Sequence, residues 1–199
     1  MKVKVTPSKV HGNIKIPASK SMAHRALICA SLSDGTSLVS NVTSSKDIEA
    51  TVGCMKALGA IIKQIDETTY EVTGTNLFKQ EGNITCNANE SGSTLRFLIP
   101  LAACTNAKVK FLGQGRLLQR PMNVYANEFK KQNIEFNQSD KEIIVSGNLQ
   151  AKDYVVQGDI SSQFITGFMF VLPLLDQDST LTITEPYESK SYVNLTIQM

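Results

Sequence analysis

The stretch SGSTLRFLIPLAA, residues 91–103, places a small polar cluster directly before an apolar run with helical character. The same plan occurs in SKSMAHRALICASL, residues 19–32, and in SSQFITGFMFVLPLL, residues 161–175. Each run is followed by a polar turn and then by a β-rich stretch, at residues 36–42, 108–112 and 179–184. Equivalent positions in the three copies are about 70 residues apart, which indicates an internal repeat of whole supersecondary units.

The first two copies also continue alike. Helical spacing is seen in Asp47–Leu58 and around Val124 and Phe129. β-rich runs follow these helices at Ile61–Ile62, Tyr70–Thr73, Ile134–Phe136 and Ile143–Ser146. A further strand is expected before each copy, at Asn13–Ile16, Asn83–Cys86 and Tyr154–Val156. The pattern predicts an α+β fold, a threefold repeat of βαβαββ units with mixed sheets, over about residues 17–80, 81–150 and 151–199.

The third unit is shorter than the other two. Ser189–Met199 has the pattern of a second helix, and no strands follow it in the 199-residue sequence. By analogy with the first two units, about thirty further residues are expected to complete it. The third unit is therefore predicted to be truncated.

The amino-acid composition is that of a globular protein and gives no sign of a protein that binds nucleic acid, a membrane or a metal. The chain is 42% hydrophobic and 19% charged, with a net charge of +2 and no block of like charges. These values are typical of a globular protein and give no reason to expect binding to nucleic acid or to a membrane. The four cysteines form no C-x-x-C pair and fit a reducing, cytoplasmic setting, and the two histidines, His11 and His24, predict no metal site.

The polar clusters are candidate anion-binding sites. The first backbone N–H groups of a helix lack intrahelical partners and carry partial positive charge, so they bind phosphate or carboxylate. Five cations accompany the clusters: Lys20, Arg25, Arg96, Arg116 and Arg120. Simple N-capping by Ser and Thr is the alternative for each helix taken alone. Three equivalent helix starts favour one shared anionic pocket.

Five segments of the chain resemble one enzyme family in their order. They are PASKSMAHRAL at 17–27, ESGSTLR at 90–96, RLLQRP at 116–121, GDISSQF at 158–164 and SKSY at 189–192. Together they are similar to the motifs of the 5-enolpyruvylshikimate-3-phosphate synthases, the 3-phosphoshikimate 1-carboxyvinyltransferases. Glu90 departs from the family pattern, which usually has Asn at this position. An acid beside a phosphate is unfavourable unless it turns away or pairs with a cation.

The resemblance implies a reaction and a set of contacts. The family transfers the enolpyruvyl group of phosphoenolpyruvate to the 5-hydroxyl of shikimate 3-phosphate and releases phosphate, without a metal or another cofactor. Residues expected to bind these substrates are Lys20, Ser21, Arg25, Gly92, Arg120, Ser161, Ser162, Gln163, Ser189 and Tyr192. Lys20 and Arg120 are expected to act electrostatically, and no catalytic acid or base is expected among the matched motifs.

The resemblance also implies a division of the chain. Residues 17–199 correspond to the N-terminal three-repeat domain, and residues 1–16 to a strand and hinge of the other domain. The partner of the chain would be the C-terminal domain of the same full-length protein, which supplies the carboxylates that move protons. This chain alone is therefore expected to lack turnover.

Two other functions remain open from sequence. The first is enolpyruvyl transfer to UDP-N-acetylglucosamine, for which the related family has Asn in place of Ser21 and a reactive loop cysteine. No cysteine occurs in Gly113–Arg120. The second is a non-catalytic anion-binding module built on the same repeat.

Overall fold

The computed structural model describes residues 2–199, in which helices and short strands alternate. The helices are α1 (Lys20–Leu32), α2 (Lys46–Ala57), α3 (Gly92–Ala102), α4 (Asn123–Lys131), α5 (Ser162–Val171) and α6 (Lys190–Ile197). The strands are β1 (Thr36–Val39), β2 (Ile61–Gln64), β3 (Tyr70–Thr73), β4 (Glu81–Asn87), β5 (Asn106–Leu112), β6 (Glu135–Gln138), β7 (Ile143–Ser146), β8 (Asp153–Gln157) and β9 (Thr180–Thr184). Within residues 2–199, no helix is long and apolar enough to cross a bilayer.

The largest sheet has four strands in the order β4-β5-β7-β6. β4 and β5 are parallel and are connected through α3, whereas β7 pairs antiparallel with both β5 and β6. Alternate residues of β5 face the core, with Ala107, Val109 and Phe111 buried. The mixed sheet predicted for this part of the sequence is therefore confirmed.

The other two sheets are smaller and resemble parts of the first. β1, β3 and β2 form an antiparallel sheet whose order, β1-β3-β2, matches that of β5-β7-β6. β8 and β9 are parallel and connected through α5, as β4 and β5 are connected through α3. Both segments combine helices with strands, as predicted, but neither sheet is mixed, because β1-β3-β2 is antiparallel throughout and β8-β9 is parallel.

The prediction of a strand at Asn13–Ile16 is wrong. Residues 2–19 form no helix or strand, and Ile14 and Ile16 are 87% and 80% exposed. An isolated extended segment has no partner for its backbone groups and no apolar surface against which to bury its side chains. Met1, which also belongs to the predicted strand and hinge at residues 1–16, lies outside the described residues.

Several element boundaries differ from the sequence prediction for local reasons. β1 ends at Val39 rather than Val42, because Asn41 adopts a φ of 58° that a strand does not accommodate. α5 ends at Val171, and a short 3₁₀ turn containing Pro173 replaces its predicted last turn.

The core brings α3 and α5 together. Nine residues of α3 are buried, and Gly167 of α5 lies against the carbonyl of Arg96, where an added Cβ would come within 2.7 Å of the oxygen. The Tyr125 hydroxyl of α4 also donates to this carbonyl, over 2.6 Å, and to that of Phe164, over 3.2 Å. The absence of a side chain at Gly167 therefore lets the two helices approach closely, which positions their N-termini side by side.

Candidate anion-binding site

Serine residues cap the helices that carry the polar clusters. The Oγ atoms of Ser19, Ser91 and Ser161 accept hydrogen bonds from the backbone N–H groups of Met22, Thr94 and Gln163 over 3.3, 3.2 and 3.4 Å. The capping interpretation from the sequence is thus confirmed for all three helix starts. The remaining N–H groups of the first turns are the ones that an anion could use.

The first turns of α3 and α5 are joined by one side chain. Gln163 donates from Nε2 to Oγ of Ser93 over 2.9 Å, and its Oε1 accepts from Nη1 of Arg96 over 2.7 Å. Both ends of the amide are therefore occupied by α3. This link brings the predicted site residue Gln163 next to the second helix start.

Arg120 completes the cationic side of this junction. An added Cβ on Gly92 would lie 2.6 Å from Nη1 of Arg120 and 3.8 Å from Nη1 of Arg96, so both guanidinium groups flank the glycine. Burial lowers the pKa of Arg96, and the positive charge of Arg120 lowers it further. Two neighbouring cations repel each other, and an anion bound between them would relieve that repulsion.

The start of α1 joins the same region through α2. Nζ of Lys20 pairs with Oδ2 of Asp47 over 2.6 Å, and the Asp47 carbonyl accepts from Oγ1 of Thr94 over 3.3 Å. Lys20 and Asp47 are 55% and 31% exposed at their side chains, so the pair faces solvent. Asp47 lies in the first turn of α2, and its pairing with Lys20 was not predicted from the sequence.

We call Lys20, Ser93, Arg96, Arg120 and Gln163 the helix-start cluster. Its members come from the first two turns of α1, α3 and α5 and from the loop before α4. Ser93 and Arg96 were not among the predicted site residues. The sequence did contain a signal for Arg96, because this cation lies about one helical turn after Gly92 of the second polar cluster.

Arg25 is buried rather than open to solvent. It is 2% exposed, and Nε donates to Oγ1 of Thr196 over 2.8 Å. Its Nη atoms donate to the Ser21 carbonyl, to Oγ1 of Thr166 and to the Tyr192 carbonyl over 2.8, 3.2 and 3.0 Å. In this arrangement the guanidinium ties α1 to α5 and α6, and a ligand could reach it only if α6 moved.

The remaining predicted residues lie at the starts of α1, α5 and α6. Ser162 is buried, Ser161 is exposed, and Ser21 and Ser189 are half-buried. The Tyr192 ring is on α6 and the residue is 50% exposed. None of these four serines or Tyr192 makes a side-chain hydrogen bond with a member of the helix-start cluster other than the capping contact of Ser161 to Gln163.

The members of the helix-start cluster are exposed at Lys20 and Arg120 and half-buried at Ser93, Arg96 and Gln163. A cavity of about 250 Å³ beside the start of α1 is lined by Ser19, Met22 and residues 39–42 and does not reach Arg120 or Ser162. The shared arrangement is instead visible as contacts between side chains of different helices.

Glu90 turns toward the loop before α4. An added Cβ on Gly115, which has a φ of 59°, would collide with Oε1 of Glu90. The backbone N–H of Gln114 donates to the Asn89 carbonyl over 2.6 Å and holds this loop against the start of α3. The acid thus packs on the glycine loop, next to the polar cluster of α3.

Comparison with known proteins identifies the family. The family model of EPSP synthase (3-phosphoshikimate 1-carboxyvinyltransferase) matches residues 5–199. The chain belongs to the EPSP synthase family. A 3-phosphoshikimate 1-carboxyvinyltransferase of Clostridium kluyveri is 48% identical over 199 residues, and one of Clostridium perfringens is 46% identical over 200 residues.

The fold comparison agrees with the family. An EPSP synthase structure from Acinetobacter baumannii matches with a TM-score of 0.76 at 18% identity and covers 94% of this chain. The chain covers 42% of that structure, 46% of the Clostridium kluyveri protein and 47% of the Clostridium perfringens protein. The chain therefore spans about half the length of the EPSP synthases that it matches.

Proposed function

We propose that this chain forms the shikimate-3-phosphate-binding half of an EPSP synthase. The complete enzyme would transfer the enolpyruvyl group of phosphoenolpyruvate to the 5-hydroxyl of shikimate 3-phosphate and release phosphate. The observation that carries the proposal is the helix-start cluster in a chain of this family. Both substrates are anions, and the cluster offers three cations and three helix starts. Arg96 and Arg120 flank Gly92, Gln163 joins the starts of α3 and α5, and Lys20 is linked to α3 through Asp47.

Phosphoenolpyruvate would bind on the Gly92 side of the cluster. The missing side chain at Gly92 leaves space beside Nη1 of Arg120, and Arg96 lies on the other flank. A guanidinium can bind a carboxylate or a phosphate through two parallel N–H groups. Lys20 would add a mobile point charge once the anion competes with Asp47 for its ammonium group.

Shikimate 3-phosphate would bind across the starts of α1, α5 and α6. The residues proposed to bind it are Lys20, Ser21, Arg25, Ser161, Ser162, Gln163, Ser189 and Tyr192. Gln163 would also fix the distance between the two substrates, because it is already bonded to Ser93 and Arg96. The buried state of Arg25 implies that it would act by holding Ser21, Thr166 and Tyr192 in place unless α6 moves.

The rest of the enzyme would come from sequence that lies outside this chain. Residues 17–199 would form the N-terminal domain, a triplicated βαβαββ fold whose third unit is incomplete, and residues 1–16 would belong to the other domain. The match of sheet order between β1-β3-β2 and β5-β7-β6 supports the triplication. The second half would cover the helix-start cluster and bring the proton-transferring carboxylates, so this chain alone would not turn over. The four free cysteines support a reducing, cytoplasmic setting.

Calorimetry with the purified chain tests the proposal. We expect binding of shikimate 3-phosphate that is at least about tenfold tighter than binding of shikimate or inorganic phosphate, and that weakens in Lys20→Ala and Ser162→Ala. Equal binding of every phosphate would instead support a non-catalytic anion-binding module. Steady phosphate release by this chain alone, abolished by Lys20→Ala, would contradict the division of labour between the two halves.

A further inference from the structure

A chain of buried hydrogen bonds runs beneath the helix-start cluster. Nδ1 of His24 on α1 lies 2.7 Å from Oγ1 of Thr51 on α2, which lies 2.7 Å from Oγ1 of Thr94 on α3. Thr94 in turn donates to Oγ of Ser91 over 2.8 Å. These four residues are 1%, 0%, 0% and 2% exposed. The chain therefore links three helices through side chains that have no contact with water.

The four residues of this hydrogen-bond network lie within about one helical turn of the residues at the three helix starts. His24 follows Lys20 by one helical turn, Thr51 follows Asp47 in the same way, and Thr94 is two positions after Gly92. Asp47 is also held directly, because its carbonyl accepts from Thr94. Movement of any one link would thus change the distance between the turn that carries Lys20 and the turn that carries Gly92.

The donor and the acceptor can be assigned consistently for every hydrogen bond of this network. The proton of Thr94 goes to Ser91 or to the Asp47 carbonyl, so Thr94 accepts from Thr51. Thr51 has one proton and gives it to Thr94, so it accepts from Nδ1 of His24. Nε2 of His24 is buried without a partner, which suits a nitrogen that carries no hydrogen. Burial also lowers the pKa of His24 to about 4, so the ring is neutral near pH 7.

We infer that His24, as the neutral Nδ1–H tautomer, acts with Thr51 and Thr94 as a set of positioning residues that fixes the Lys20 turn against the Gly92 turn. None of the three touches substrate in this role. They keep the two halves of the helix-start cluster at the spacing that both anions need. The inference about substrate rests on the proposed function, but the tautomer and the helix spacing do not.

The first test is the tautomer of His24, which needs no ligand. In the chain labelled with ¹⁵N in its imidazoles, at pH 7, we expect the His24 Nδ1 resonance at the protonated, pyrrole-type position and Nε2 at the pyridine-type position. His11, which is exposed, provides the comparison within the same protein. A protonated Nε2, or averaged resonances at His24, would overturn the inference whether or not the chain binds substrate.

The second test compares matched substitutions at Thr51. Thr51→Val has nearly the same shape but breaks the chain of hydrogen bonds, whereas Thr51→Ser keeps the hydroxyl. We expect Thr51→Val to weaken shikimate 3-phosphate binding about fivefold and Thr51→Ser to change it less than about twofold, both measured well below the melting temperature. His24→Asn against His24→Leu repeats the comparison at the other end, since the Asn amide can still donate to Thr51.

The outcomes separate the two proposals. If the wild-type chain does not bind shikimate 3-phosphate, the proposed function fails, and the amide resonances of Ser91–Ser93 in Thr51→Val then test the positioning role. Shifted resonances in Thr51→Val but not in Thr51→Ser support it. The opposite result is a folded Thr51→Val that keeps the wild-type resonances and affinity and shows only a lower melting temperature. That result would show that the hydrogen bonds of His24, Thr51 and Thr94 stabilise the fold and do not position the site.

Discussion

The side-chain amide of Gln163 donates to the hydroxyl of Ser93 over 2.9 Å, although the two residues are 70 positions apart. The same amide accepts from Arg96, so one side chain joins the first turns of α3 and α5. Two helix N-termini with partial positive charge are thus held together by a neutral group. This arrangement is suited to binding two anions, because folding already overcomes the electrostatic repulsion between the two helix N-termini.

Gly92→Ala should weaken phosphoenolpyruvate binding without unfolding the chain. The new Cβ would lie 2.6 Å from Nη1 of Arg120, the far end of a flexible side chain, so Arg120 would move away from its position beside Arg96. We expect about a tenfold loss of affinity by calorimetry in the presence of shikimate 3-phosphate. Thermal melting should stay close to that of the wild type.

Gly53→Ala is the matched control for Gly92→Ala. Gly53 is an exposed helical residue with nothing within 4 Å of an added Cβ. The substitution should raise the free energy of unfolding by about 0.5–1 kcal/mol and leave binding unchanged. Equal affinities of Gly92→Ala and Gly53→Ala would contradict a role for the space at Gly92.

Gly167→Ala should destabilise the fold. The added Cβ would come within 2.7 Å of the Arg96 carbonyl and would also collide with the Tyr125 hydroxyl, so α3 and α5 would have to separate. Overpacking of this kind costs about 1–3 kcal/mol, and loss of the Tyr125 hydrogen bond adds to it. Urea denaturation followed by circular dichroism measures the loss, and an unchanged midpoint would argue against the close helix approach.

Arg25 should be needed for stability as much as for binding. Arg25→Ala leaves the acceptors on Ser21, Thr166 and Tyr192 without their donor. It also opens space on the face of the Phe97 ring, where the guanidinium carbon lies 5.2 Å from the ring centre. We expect a loss of about 3 kcal/mol or more in the free energy of unfolding. Arg25→Lys should recover only part of it, because an ammonium group cannot span the same acceptors. Full recovery by Lys would contradict the clamp that we describe.

Stability should fall as the pH is lowered from 6.5 toward 4. Burial lowers the pKa of His24 from 6.5 to about 4, so in this window the unfolded chain binds a proton that the folded chain does not. The free energy of unfolding should decrease by about 1.4 kcal/mol per pH unit there, to a total of about 3 kcal/mol.

The His24 contribution can be isolated by difference. Urea denaturation of the wild type and of His24→Asn at several pH values gives two curves, and the wild type should lose more stability than His24→Asn between pH 6.5 and 4. The lowered pKa of Glu128, which pairs with Lys131 and Lys152, affects both proteins equally and acts below pH 4.5. Parallel curves would show that His24 is not the buried neutral group of the structure.

Local sequence signals predicted the helices and their starts well. Ser19, Ser91 and Ser161 cap the helices that the apolar periodicity predicted, because capping and periodicity depend on residues within one or two turns. The mixed sheet of β4 to β7 followed from the parallel connection through a helix and the hairpin after it. The strand at Asn13–Ile16 failed, because a strand depends on a partner that the local sequence does not specify.

The contacts that make the site could not be predicted in the same way. Arg25 meets Thr196 across 171 positions, and Lys20 meets Asp47 across 27. No local pattern encodes such distances. The repeat predicted which helix starts would be related, but it did not predict that Arg25 would be buried or that Ser93 and Arg96 would hold Gln163.

The central claim is that three helix starts and Arg120 act as one site, and mapping by NMR tests it most directly. Shikimate 3-phosphate and then phosphoenolpyruvate are titrated into the ¹⁵N-labelled chain while the amide resonances of Lys20, Ser93 and Gln163 are followed. We predict that all three shift along curves with one common dissociation constant. Shifts confined to one helix start, or separate constants for the three, would contradict the account.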